Sequence, residues 1–174
     1  MVSKRQSARA AEARELLVLE KLYQQGKLDT KGSARWNELA SSLFADHRPQ
    51  ARRSFRLPTE ATTQLAIRGG TFQCTILEIS RIGMTLQGFV FGHITHEETV
   101  RICSVKFEGQ DHRVDLYCDI VRFDEGKKPP VVGVSITDDN SRSAKDGYFD
   151  HVYYPLYLKY LEAVADGRSG VQAP

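Results

Sequence analysis

Cysteine is scarce in this chain: three among 174 residues, Cys74, Cys103 and Cys118, odd in number and without a C-x-x-C pair. That spacing argues against a disulfide framework or a thiolate metal site. Each cysteine lies in a β-patterned run, where a small buried core residue is expected. Long apolar runs are also missing; none approaches the ~18 residues of a membrane span. The early Lys and Arg are followed by Glu12, Glu15 and Glu20 rather than by the apolar stretch of a signal peptide, so a cytoplasmic location without membrane attachment is expected. Net charge is low as well. A formal +2 is too small for bulk nucleic-acid binding, although residues 1–48 are somewhat more basic than the rest.

Catalytic signatures are lacking too. There is no Ser/His/Asp order, paired-carboxylate motif, phosphate loop or dinucleotide fingerprint, and no enzyme is expected. Gly69-Gly70 reads as a hairpin turn, because no helix follows it to receive a phosphate. Asp138-Asp139-Asn140 fails the spacing of a calcium loop and reads as a turn. His93 and His96 flank a predicted loop and read as solvated loop residues rather than a metal site, and no metal or cofactor is expected.

What is present divides the chain by period. Residues 7–25 predict a helix rich in Ala, Glu and Leu, with Leu16, Leu19, Leu22 and Tyr23 on one stripe and Gly26 as its C-cap. Ser33 is a candidate cap for a second short helix carrying Trp36, Leu39, Ala40 and Leu43. Such a hairpin is too apolar to stand alone. It must cover the rest of the chain or a second copy, and a homodimer through residues 8–44 is one expectation. Helix-turn-helix reading of DNA through Arg35 and Asn37 is a weaker one, since no third helix is evident near it.

After the linker around Pro49 the period becomes two. Strands are predicted at 60–68 and 71–79, joined by Gly69-Gly70, with Phe72, Cys74 and Ile76 on one face. Further strands are predicted from Met84, over 99–107, over the alternating Val114, Leu116, Cys118, Ile120 run, and over 131–136. Six short antiparallel strands without a long crossover make a small barrel or sandwich. A C-terminal helix is predicted over 150–164, with Pro155 near its first turn. The expected organisation is a helical extension over 1–48, a β-domain with its C-terminal helix over 49–165, and a tail over 166–174.

Two short runs carry the chemistry. Gln50-Ala51-Arg52-Arg53-Ser54-Phe55-Arg56 contains R-x-x-x-R, and Glu78-Ile79-Ser80-Arg81-Ile82-Gly83 contains acid-x-S-x-x-G. A guanidinium is a planar fork of donors that matches phosphate oxygens, reads the O6/N7 edge of guanine and stacks on a base. Ser80 can donate or accept, Glu78 can accept from a base N–H, and Gly83 leaves room for close approach. A guanine nucleotide would use all of these groups.

The pair of motifs, in this order, resembles the PilZ domain, the bacterial receptor module for cyclic di-GMP. Arg52 and Arg56 match its two arginines, and Ser80 and Gly83 its serine and glycine. Glu78 departs from the family's Asp or Asn. The likeness covers roughly residues 50–160. It implies a mainly β, six-stranded antiparallel PilZ-like barrel with a C-terminal helix and, here, an N-terminal helical hairpin. It also implies that Arg52, Arg53, Arg56, Glu78, Ser80 and Gly83 bind cyclic di-GMP, that residues 50–56 wrap the ligand, and that binding alters a surface for an unidentified protein partner. An adaptor of the same fold that has lost nucleotide binding is the alternative, with Glu78 as its symptom.

Overall fold

The computed structural model describes residues 4–44, 56–95, 98–124 and 126–168. Its elements are α1 (Lys4–Gln24), α2 (Thr30–Leu43), β1 (Arg56–Ile67), β2 (Gly70–Ser80), β3 (Gly83–Gln87), β4 (Thr99–Phe107), β5 (Gln110–Asp124), β6 (Val131–Ile136), α3 (Arg142–Tyr148) and α4 (Tyr154–Ala165). A π-helical turn, Phe149–Tyr153, joins α3 to α4. The strands close into a barrel in the order β1-β2-β3-β6-β5-β4, with every pairing antiparallel.

Alternation builds the barrel. Val114, Leu116, Cys118 and Ile120 of β5 point inward and are buried, while Asp115, Tyr117 and Asp119 are exposed, as a period of two requires. Leu57, Leu65, Ile76, Met84, Leu86 and Val132 join them in the core. Phe72 is the exception on its expected face: it lies near the hairpin end and is exposed. The first hairpin turns on Arg68-Gly69 rather than on Gly69-Gly70. Ile67 pairs with Gly70, and both turn residues have positive φ, 49° and 78°. That geometry matches the right-handed twist of the strands and repeats at Glu108-Gly109. The Asp138-Asp139-Asn140 segment is indeed a turn. The buried Asn140 amide docks on the backbone of Tyr117, accepting from its N–H and donating to its carbonyl, both at 2.7 Å.

Burial also decides the cysteine chemistry. Cys74 and Cys118 are core residues, and desolvation pushes their thiols up to about 11 and about 12. Cys103, on β4, is half-buried. At pH 8 a soluble alkylating reagent should therefore modify Cys103 quickly and the other two only after denaturation. Mass spectrometry of native and unfolded samples checks this; prompt native labelling of Cys118 would contradict the packing.

The C-terminal helical run begins at Arg142, eight residues before the sequence expectation. Ser141 caps it, its Oγ accepting from the N–H of Ala144 at 3.1 Å. Pro155 lies in the first turn of α4, as expected, but inside this longer helical run. The π turn accommodates it: the N–H of Tyr154 bonds five residues back to Phe149, so the four-residue register that a proline obstructs is already broken there.

By contacts the described residues form two compact units, one within 56–155 and one of residues 4–44 with 156–168. In the helical unit Ala10, Ala13, Leu16, Leu39, Leu43 and Phe44 are buried together with Tyr157 and Leu161 of α4. Phe44 stacks on Tyr157 and Tyr160, with ring centroids 5.9 and 5.3 Å apart. The buried stripe of α1 is thus Ala10, Ala13, Leu16 and Glu20; Leu19 and Leu22 are half-buried and Tyr23 is exposed. Glu20 is buried because donors converge on it. Its Oε1 accepts from Trp36 Nε1 at 2.7 Å and from the Tyr157 hydroxyl at 2.8 Å. Asp29 rather than Ser33 caps α2, accepting from Gly32 N–H at 2.7 Å, and Gly26 has the positive φ of a helix end.

Candidate functional site

Arg56 opens β1, Glu78 and Ser80 end β2, and Gly83 opens β3. The hairpin register makes Arg56 the cross-strand partner of Ser80, and Glu78 the partner of Pro58 on one side and Thr85 on the other. Pro58 is tolerated in β1 because the ladder slips between Pro58 and Ala61, where the missing N–H interrupts nothing. The two motifs, 22 residues apart at Arg56 and Glu78, therefore meet on the outer face of the barrel. Arg52 and Arg53 lie outside the described residues.

The contacts within this cluster are specific. The Nη1 of Arg56 donates to Thr85 Oγ1 at 2.6 Å and to Glu78 Oε2 at 3.2 Å. Thr85 Oγ1 donates in turn to Glu78 Oε2 at 3.1 Å. Glu78 reaches Arg56 rather than Arg81, whose guanidinium lies 5.0 Å from the centre of the Phe149 ring. The side chain of Arg56 is 22% exposed and that of Glu78 39%. Both are open enough to exchange partners and covered enough to be held in place. Thr85 carries no sequence signal beyond its outward position between inward Met84 and Leu86.

Ser80 and Gly83 serve the turn between β2 and β3. The Ser80 hydroxyl is buried and donates to the Gly83 carbonyl at 3.0 Å. The Ser80 carbonyl accepts from the buried Tyr148 hydroxyl at 2.6 Å, which ties α3 to the turn. A Cβ on Gly83 would stand 2.1 Å from the carbonyl oxygen of Val134 on β6, a separation no side chain can adopt. Close strand packing thus requires this glycine. Tyr148 anchors the motif from 68 residues away, and nothing in its local sequence announces that.

Among the described residues no group of His, Cys, Asp and Glu is arranged to hold a metal. Among the same residues no helix is long and apolar enough to cross a membrane. In α2, Arg35 is gripped by both Glu15 oxygens at 2.7 and 2.8 Å and by Glu38 at 2.8 Å. Asn37 donates to the Ser33 carbonyl. A DNA-reading helix finds no uncommitted guanidinium at Arg35.

Comparison with solved structures returns the same barrel. An inhibitor of motility from Bacillus subtilis, MotI/DgrA, aligns with a TM-score of 0.51 and 12% identity over 66% of this chain and 54% of its own. YcgR from Escherichia coli, solved in complex with c-di-GMP, aligns with a TM-score of 0.50 and 13% identity over 67% of this chain and 50% of its own. The chain accordingly spans about half the length of these relatives. No curated protein matches it. The profile of one family, described as the PilZ domain, matches residues 50–152, which contain both motifs and the whole barrel. With more than half its length matched and a closed six-stranded barrel observed, the chain belongs to the PilZ domain family.

Proposed function

We propose that this protein is a receptor for cyclic di-GMP, binding it on the outer face of β1, β2 and β3 with Arg52, Arg53, Arg56 and Glu78 in contact and Ser80 and Gly83 shaping the turn. The observation that carries the reading is the convergence of Arg56 with Glu78 and Thr85 beside that turn. A guanidinium there is one exchange of partner away from a phosphate oxygen. Family membership and the ligand held by the E. coli relative of the same fold support it. The output is a change of surface for a protein partner. The turn has a route to the C-terminal helical run through the Tyr148–Ser80 bond and the Arg81–Phe149 contact. A homodimer through residues 8–44 is a separate proposal. Leu16, Leu39 and Leu43 are already buried within the chain, so its face on α1 would be built on exposed Val18 and Tyr23.

The Arg56–Glu78 pair favours one competing reading, an adaptor whose own carboxylate holds the motif arginine. Calorimetric titration separates the two. Binding of cyclic di-GMP at micromolar concentration supports the receptor; none at high micromolar ligand leaves the adaptor. Glu78→Asp should tighten binding about five- to tenfold. It keeps the charge and withdraws the carboxylate by a methylene from Arg56, which then costs less to free. Equal or weaker binding by that variant would mean that Glu78 is adapted to the ligand or does not touch it.

A further inference from the structure

Two strands beyond β3 on the same outer face is an arginine that neither motif contains. Arg122 on β5 is exposed, and among the described residues no hydrogen bond or ion pair holds its guanidinium. It is the cross-strand partner of Gly133 on β6, and Gly133 is the partner of Thr85 on β3. The row Pro58, Glu78, Thr85, Gly133, Arg122 thus runs across five adjacent strands. Arg56 stands over Thr85, and the stem of Arg122 lies along Gly133. A Cβ built on Gly133 would meet Arg122 Cβ at 3.2 Å and Nε at 3.6 Å. The two guanidinium groups therefore flank one cross-strand pair, whose Cα atoms are about 5 Å apart in any antiparallel sheet. That is the scale separating a phosphate from its own base.

The missing side chain at Gly133 lets Arg122 lie along the sheet instead of standing off it. An exposed guanidinium is a planar cation, and a planar cation is a stacking surface for a purine. Arg56 differs: it is drawn down onto Thr85 and Glu78 and offers its edge donors. We infer that Arg122, laid across Gly133, is a further ligand-binding residue that stacks on a guanine base of the nucleotide whose phosphate Arg56 takes. The inference rests on the receptor reading above and extends its site from β1–β3 to β6 and β5.

Titration of the full chain with cyclic di-GMP tests it, using Arg122→Ala, Arg122→Lys and, as a control for lost charge, Arg113→Ala. Arg113 lies on the same strand, exposed and without an ion pair among the described residues. Loss of one stacked base should weaken binding by Arg122→Ala about tenfold or more. Lysine keeps the charge but has no plane, so Arg122→Lys should fall about as far. Arg113→Ala should bind like the wild type. Wild-type binding with an unaltered Arg122→Ala removes the inference and leaves the receptor reading standing. Full affinity in Arg122→Lys, or an equal loss in Arg113→Ala, would reduce the residue to its charge and overturn the stacking role. A wild-type chain that does not bind removes both readings.

Discussion

Gly83→Ala should destabilise the protein by about 3 kcal/mol or more, lowering Tm by roughly 6–12 °C for a chain of this size. The cause is the Val134 carbonyl oxygen, 2.1 Å from where the new methyl carbon would be. The obstacle is backbone in a paired strand, so no rotamer change relieves it. Either β3 moves away from β6 and breaks the Gly83–Ser135 and Met84–Val134 pairings, or the Ser80–Gly83 turn distorts. Thermal melting followed by circular dichroism measures the loss. The prediction also separates two roles for this motif residue. If Gly83→Ala melts like the wild type yet binds cyclic di-GMP more weakly, the glycine serves ligand approach instead of strand packing.

Arg56→Ala should do the opposite, removing affinity and sparing the fold. The side chain makes one ion pair and one hydrogen bond at a partly open surface, and such pairs contribute at most about 1 kcal/mol to stability. In a complex the same guanidinium would form charge-assisted bonds to phosphate. Their loss costs about 1.5–3 kcal/mol, roughly 10- to 150-fold in Kd. Arg52→Ala should lose a similar amount by the same chemistry. Calorimetry paired with a melting curve reads both quantities on one sample. An Arg56→Ala protein that binds as tightly as the wild type would remove Arg56 from the site. One that melts many degrees lower would make its bond to Thr85 a structural element.

The contrast between these variants bears on how the motif is to be understood. Its serine and glycine build a turn, through the Ser80 hydroxyl on the Gly83 carbonyl and the bare Cα of Gly83 against β6. Its arginine and acid stand on the surface that the turn positions. The spacing between Ser80 and Gly83 reflects the reach of one hydroxyl across a tight turn. That between Arg56 and Glu78 reflects a hairpin register, in which Arg56 faces Ser80.

Local pattern alone determined much of this protein. Alternation placed β4 and β6 at their observed limits, and assigned Val114, Leu116, Cys118 and Ile120 to the barrel interior against Asp115, Tyr117 and Asp119 outside. These features depend on neighbours two positions away, and that information is present in any short window. The paired motifs carried the family for the same reason. Tertiary structure decided what distant groups share. Glu20 reads as a solvated helix residue, yet Trp36 and Tyr157, 16 and 137 residues away, make it a buried acceptor. The buried face of α1 differs from the leucine stripe because α4 contributes to the same helical unit, where Phe44 stacks on Tyr157 and Tyr160. Helix α3 starts at Arg142 because the Ser141 cap overrides a weak apolar period. Arg56 lies on Thr85, and Arg122 lies beside Gly133, only because the barrel closes in the order β1-β2-β3-β6-β5-β4. Strand order is set by how the inward faces fill one core, a property of the whole chain that no window of its sequence contains.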